Sequence, residues 1–231
     1  MSEPNLHSGH RDRLRSRYQK QGLDGFDDHN VLELLLCYAI PRKDVNALAH
    51  QLIRRFGSLS AVFDAAPEDL MTVEGIGERS ATLIKLVIDL NRRYLIEKGK
   101  QRKQPCLSET RAAGEFFLPY FYGEKEERVY VAFLDDAFRL LSCRSLFEGG
   151  INYAPVSVRK LVECAISLRA TNLIIAHNHP AGQALPSVED RDTTIALAQA
   201  LKVVELRLLD HIIVAGEEYI SMEEHGYFSA K

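Results

Sequence analysis

The stretch His177-Asn178-His179-Pro180, with Ser187 and Asp190 a short way downstream, holds the residue types of a metal site. The apolar run Leu173-Ile174-Ile175-Ala176 leads into it and predicts a buried strand. Side chains two residues apart at a strand end face the same way, so both imidazoles can converge on one ion. Pro180, Gly182 and Pro186 then turn the chain, and Ser187–Leu201 reads as a helix with Asp190 in its first turn. Two imidazole nitrogens and one carboxylate suit Zn2+, and three protein ligands leave a fourth position for water, the arrangement of a catalytic zinc. Manganese and iron accept the same donors. Ser187-x-x-Asp190 also reads as a capping box, with Ser187 capping the helix.

The elements around this stretch change character along the chain. Up to about residue 98 the pattern is helical, with helices expected over Asn30–Ile40 (Asn30 as cap), Asp44–Phe56, Ser58–Asp64, Pro67–Met71 and Ser80–Leu95. The charged segment 98–105, with Gly99 and Pro105 and no apolar period, marks a boundary. Beyond it a helix over Thr110–Phe121 precedes strands over Val129–Leu134 and Phe138–Phe147. A helix over Ser157–Arg169, a strand over Asn172–Ala176, and closing strands over Leu206–Val214 and Glu218–Ser221 complete the pattern. Strands alternating with helices predict an α/β layered domain.

The 231 residues suffice for one large or two modest domains. No apolar run is long enough to span a membrane. Residues 1–17 are polar and basic, unlike a secretory signal. Cys37, Cys106, Cys143 and Cys164 form no Cys-x-x-Cys pair and read as reduced cysteines, mostly in the core, of a cytoplasmic protein. Residues 1–105 hold 17 Lys and Arg against 14 Asp and Glu, and residues 106–231 hold 12 against 18. The bases of the first half cluster at 11–20 and 92–103, which favours a nucleic-acid partner for that half.

A second signal lies in Val73-Glu74-Gly75-Ile76-Gly77-Glu78-Arg79-Ser80. A short helix ends, a glycine turn follows, and a new helix begins whose free N–H groups can hold a phosphate. Gly75, Gly77 and Arg79 are the candidate nucleic-acid contacts. The segment resembles a helix-hairpin-helix, which binds a nucleic-acid backbone without reading bases. Glu74 and Glu78 oppose phosphate, and such a hairpin serves equally as a protein-interaction or packing element.

The string His-x-His-Pro-x(6)-Ser-x-x-Asp resembles the signature of the JAMM (MPN or JAB) metallopeptidases, and Asn between the histidines resembles its RadC branch. Leu32-Glu33-Leu34-Leu35-Leu36, Phe56-Gly57-Ser58-Leu59, Gly75-Ile76-Gly77 and Leu209-Asp210-His211-Ile212-Ile213 extend the resemblance over nearly the whole chain. It implies a multidomain α and α/β protein. A helical domain with the hairpin would occupy 1–98, a linker 99–107, and a JAMM-like domain with a mixed, cytidine-deaminase-like sheet 108–231. It also implies an upstream glutamate as general acid/base. That residue is Glu127, two before the first strand, with Glu126 and Glu148 as alternatives. Two segments depart from the family's usual pattern, Val158-Arg159-Lys160 in place of Pro-Arg-Glu and Gly149-Gly150 in place of Gly-Thr. Neither touches a metal ligand, and both bear on the substrate groove. His211 reads as a buried histidine supporting the core or a ligand rather than as a fourth ligand.

Carried to chemistry, the resemblance implies a zinc hydrolase cleaving amide or isopeptide bonds in a protein or peptide, in a DNA-repair context. His177, His179 and Asp190 would hold the zinc, Glu127 would move the proton, and Ser187 would bond the oxyanion if capping left its hydroxyl free. Two other readings are a metal-dependent enzyme acting on nucleic acid and a non-catalytic DNA-binding adaptor with a structural metal.

Overall fold

The computed structural model describes residues 9–41, 43–100, 105–148, 158–180 and 182–229. The chain divides into two compact units, Met1–Asn91 and Arg92–Lys231. The change of character expected at 99–107 therefore lies close to this division. Residues 99 and 100 are helical, and 101–104 lie outside the described residues.

The first unit is helical: α1 (His10–Gln21), α2 (Asp28–Ala39), α3 (Asn46–Phe56), α4 (Leu59–Asp64), α5 (Pro67–Met71) and the start of α6 (Glu78–Lys100). Leu32, Leu36, Leu52, Val62, Leu70 and Ile84 meet in its core. Asn30 is not the cap of α2. Asp27 takes that position in an extended conformation, and the Asn30 N–H donates to the Asp27 carbonyl at 2.8 Å. The buried carboxylate of Glu33 ties three helices together, with Asn46 Nδ2 donating at 2.9 Å and His10 Nε2 at 2.7 Å. Helix α1 was not delimited from sequence because it buries only Leu14.

The second unit is an α/β layer structure. A five-stranded mixed sheet runs in the order β2-β1-β3-β4-β5. Its strands are β1 (Arg128–Leu134), β2 (Leu140–Glu148), β3 (Asn172–Asn178), β4 (Arg207–Ala215) and β5 (Glu218–Ser221). Only β3 and β4 pair in parallel; the remaining pairings are antiparallel. Helices α8 (Val158–Leu168) and α9 (Val188–Val203) pack with Val131, Phe133, Leu173, Ile175 and Ile213. On the other face, α7 (Thr110–Phe117) and the 3-10 turn Leu118–Phe121 pack with Ala132, Ile174, Ala176 and Ile212. The helix expected over Thr110–Phe121 thus tightens at its end, where Pro119 removes a helical donor. The second strand starts at Leu140 rather than Phe138. Phe138 adopts a positive φ of 57°, in a turn held by Asp135 Oδ1, which accepts from the Ala137 and Arg139 N–H groups. No helix among the described residues is long and apolar enough to cross a membrane.

Candidate metal centre

Every residue of β3 is buried, and alternation decides which side chain goes where. Leu173 and Ile175 point to the α9 face, so His177 does too, while Asn178 points to the opposite face with Ile174 and Ala176. Helix α9 meets this face with a stripe of Asp190, Thr194, Leu197 and Leu201, the spacing of one buried helical side. Its first turn thereby delivers Asp190 to the end of β3.

Three side chains converge there. His177 Nε2 and His179 Nε2 lie 2.9 Å apart. Asp190 Oδ1 lies 3.4 Å from His177 Nε2, and Asp190 Oδ2 lies 3.5 Å from His179 Nε2. The side chains of His177 and Asp190 are 1% and 2% exposed, and that of His179 is 18% exposed, so the site opens on the His179 side. Burial opposes the charge on Asp190. The adjoining His177 and His179 rings and the Ser187 hydroxyl outweigh it and hold the carboxyl well below the usual carboxylate range. The same hydrogen bond to Asp190 raises His179 above the ordinary imidazole value against the effect of burial, with help from the Gln183 carbonyl and Glu127.

The donor set fits a divalent metal. His179 Nδ1 lies 3.1 Å from the Gln183 carbonyl, which can only accept, so Nδ1 carries a proton and Nε2 is the atom left for an ion when the ring is neutral. Two imidazoles and a carboxylate facing one another can share a cation, be it a proton or a metal ion. Taking one ligand atom from each residue, all three lie within 4.8 Å of one another, so the group could hold one metal ion.

Ser187 is committed to Asp190. Its hydroxyl donates to Asp190 Oδ2 at 2.7 Å, its main-chain N–H donates to the same oxygen at 2.8 Å, and its Oγ accepts from the Asp190 N–H at 3.0 Å. This is a complete capping box. The condition set for an oxyanion role, a hydroxyl free of capping, is not met in this arrangement.

Glu127 immediately precedes β1, which runs antiparallel to β3 with Val129 opposite His177. Continuing that register sets Glu127 opposite His179, on the same face. Glu127 is half-buried and lines a cleft of about 500 Å³ with Lys125, His179, Ser187, Glu189 and Asp190. Glu126 is exposed, and the Glu148 side chain lies outside the described residues, as do Gly149 and Gly150. An apolar groove of about 550 Å³ beside α9 and β4, lined by Ile195, Ala198 and Phe228, shares none of the metal-binding set.

Two further residues escaped sequence reasoning. The Asn178 amide grips the approach to β1: its Oδ1 accepts from the Arg128 N–H at 2.7 Å, and its Nδ2 donates to the Glu126 carbonyl at 3.1 Å. Thr194 sits one helical turn beyond Asp190 and lies 2.6 Å from His211 Nδ1. The i, i+4 spacing from Asp190 was a signal that could have found it. His211 is fully buried, 2.7 Å from His177 Nδ1 on the side of that ring away from His179. Burial, with the neighbouring His177, keeps its ring well below the ordinary imidazole value.

Gly75, Gly77 and Arg79 belong to the first unit. Val73 and Ile76 anchor their turn in its core, and the Gly77 carbonyl accepts from the Ser80 and Ala81 N–H groups at 3.0 Å to open α6. Gly75 has a φ of 95°, a conformation that requires glycine. A Cβ at Gly77 would meet nothing within 4 Å, and Arg79 is exposed.

The Ser187 cap gives a direct test. Ser187→Ala should lower the stability of the metal-free protein by about 1 kcal/mol in urea unfolding, the usual worth of a helix cap. Ser187→Thr keeps a hydroxyl and should lose much less.

Residues 107–227 match the RadC-like JAB domain family, and residues 7–82 match the UPF0758 N-terminal family. A UPF0758 protein of Burkholderia thailandensis is 37% identical over 218 residues, covering 94% of this chain and 82% of the relative. One of Fusobacterium nucleatum is 33% identical over 231 residues, covering 98% and 99%. One of Janthinobacterium sp. (strain Marseille) is 34% identical over 216 residues, covering 94% and 96%. JAB domains are in general hydrolytic and point to a divalent metal, which the His177, His179 and Asp190 cluster could hold. The chain therefore belongs to the RadC-like JAB domain family, with the UPF0758 helical region at its N-terminal side.

Proposed function

We propose that the protein is a zinc-dependent hydrolase of amide or isopeptide bonds, working in a DNA-associated, cytoplasmic setting such as repair. The observation that carries the hydrolase reading is the convergence of His177, His179 and Asp190, with His179, Asp190 and Glu127 lining one open cleft. His177, His179 and Asp190 would hold the ion. Bound Zn2+ supplies Lewis acidity, bringing the pKa of a water into the neutral range and polarising a carbonyl. Glu127 would take the proton from the attacking water and deliver it to the leaving amine. It lines the cleft and is half-buried, which supports contact with both solvent and a bound substrate. Ser187 holds Asp190 in place for this chemistry, and would have to release it before donating to an oxyanion.

The purified protein should take up about one Zn2+ per chain, and His177→Ala and His179→Ala should lose it in elemental analysis. Full zinc retention in both variants would falsify the site. Against a panel of peptide and isopeptide substrates, Glu127→Gln should keep the metal and lower turnover by roughly 10²–10⁴-fold. Unchanged turnover would move the proton transfer to another carboxylate, and cleavage confined to an oligonucleotide panel would make the enzyme a nuclease.

DNA contact is proposed through the turn at Gly75 and Gly77 with Arg79. Three observations support it: the open space at Gly77, the exposed arginine, and the start of α6, where the Glu78 and Arg79 N–H groups precede the first helical hydrogen bonds, those of Ser80 and Ala81 to Gly77. Binding to labelled oligonucleotides should be weak, indifferent to sequence and reduced by salt. Gly77→Val should fold, because its side chain enters open space, and should weaken binding by blocking the phosphate. Equal binding by Gly77→Val in anisotropy titrations would leave the turn as a protein-interaction or packing element.

A further inference from the structure

A neutral imidazole has one bare nitrogen, and a metal ligand must turn that nitrogen to the ion. For His177 the surrounding hydrogen bonds dictate which one it is. Its Nδ1 lies 2.7 Å from His211 Nε2. His211 Nδ1 lies 2.6 Å from Thr194 Oγ1. Thr194 Oγ1 in turn lies 2.6 Å from the main-chain carbonyl oxygen of Asp190.

The far end sets the direction of the whole chain. A carbonyl only accepts, so the single Thr194 proton goes to Asp190. The other neighbour of the hydroxyl, Met222 Sδ at 3.7 Å, is also only an acceptor, so the direction is unchanged. Thr194 Oγ1 must then accept from His211, whose proton lies on Nδ1. The neutral, buried His211 ring is left with a bare Nε2, and this accepts from the His177 Nδ1–H. The remaining lone pair of His177 falls on Nε2, the atom that faces His179 and Asp190.

We propose that Thr194 and His211 are positioning residues of the metal centre, forming a one-way relay that locks His177 in its metal-binding tautomer. The proposal rests on the metal reading given above. The relay starts on one ligand and ends on the main chain of another. It thus joins β3, β4 and α9 in a closed loop and orients the His177 ring through the helix that carries Asp190. Partners of this kind, bound to the far nitrogen of a ligand histidine, commonly govern metal affinity. Here the histidine partner is itself oriented by a hydroxyl, so Thr194 acts at two removes from the ion.

The test uses the full chain labelled with ¹⁵N. Long-range ¹H–¹⁵N correlation of the imidazoles in the metal-free protein should show His211 with its proton on Nδ1. Competition with a chromogenic chelator should show Zn2+ binding weakened by about 10–100-fold in Thr194→Val. Thr194→Ser, which keeps the hydroxyl, should retain wild-type affinity. A wild-type His211 protonated on Nε2 overturns the relay, as does a folded Thr194→Val that holds Zn2+ as tightly as wild type. If Thr194→Val does not fold, the wild-type spectrum and the Ser variant still decide. A wild type that takes up no Zn2+ overturns the metal centre itself, an outcome distinct from a zinc-binding protein with the wrong tautomer.

Discussion

The pairing of β1 with β3 is the constraint on which the site depends. Val129 lies opposite His177, and the pairing continues without a shift to Leu134 opposite Asn172. The side-chain period of a strand is two, so slipping this register by one residue would turn Glu127 away from the histidines. The core prevents such a slip. Val129, Val131 and Phe133 fill the α9 face together with Leu173 and Ile175, and Ala132 and Leu134 fill the other face with Ile174 and Ala176. A slip would exchange the two sets, and full burial of an aliphatic side chain is worth about 1.5–3 kcal/mol. The apolar packing in the middle of the sheet thus fixes the position of the polar groups at its end.

Those polar groups are costly to bury singly, and the structure buries them as a connected set. Asp190 accepts from the Ser187 hydroxyl and main chain, Thr194 bonds the Asp190 carbonyl and His211, and His211 meets His177. The start of α9 adds its own favourable field for the Asp190 carboxylate. What stays uncompensated is the meeting of the two Nε2 atoms with the carboxylate, and it lies where the site opens. The polar network is left open where these three groups meet, the place that could hold a cation.

Much of this was legible in the sequence, for reasons specific to each element. The run Leu173–Ala176 showed a buried strand because a central strand is apolar on both faces, and His177 and His179 then followed from spacing. Asp190 was legible through its place in a helix start. Helix ends were less so: Asp27, not Asn30, begins α2, and both residue types favour that position. The backbone reversal at Phe138 could not be read from a bulky aromatic, which rarely takes a positive φ. Asn178 was hidden because Glu126 and Arg128 are distant in sequence and only the sheet register brings them near, whereas for Thr194 the spacing from Asp190 was legible but the packing of α9 on β4 that brings His211 to it was not. The oxyanion role of Ser187 depended on whether its proton was already spent, which is a matter of geometry and not of residue type.

Asn178, between the two histidines, acts as a substitute peptide group: it extends the sheet past the end of β1 by holding one main-chain donor and one main-chain acceptor. It touches the backbone of Glu126 and Arg128 and ignores the identity of their side chains. The side chains at 126 and 128, which do not line the cleft, can therefore change while the main chain keeps Glu127 in its place. A lineage of such proteins is free to vary these two positions without disturbing the residue between them.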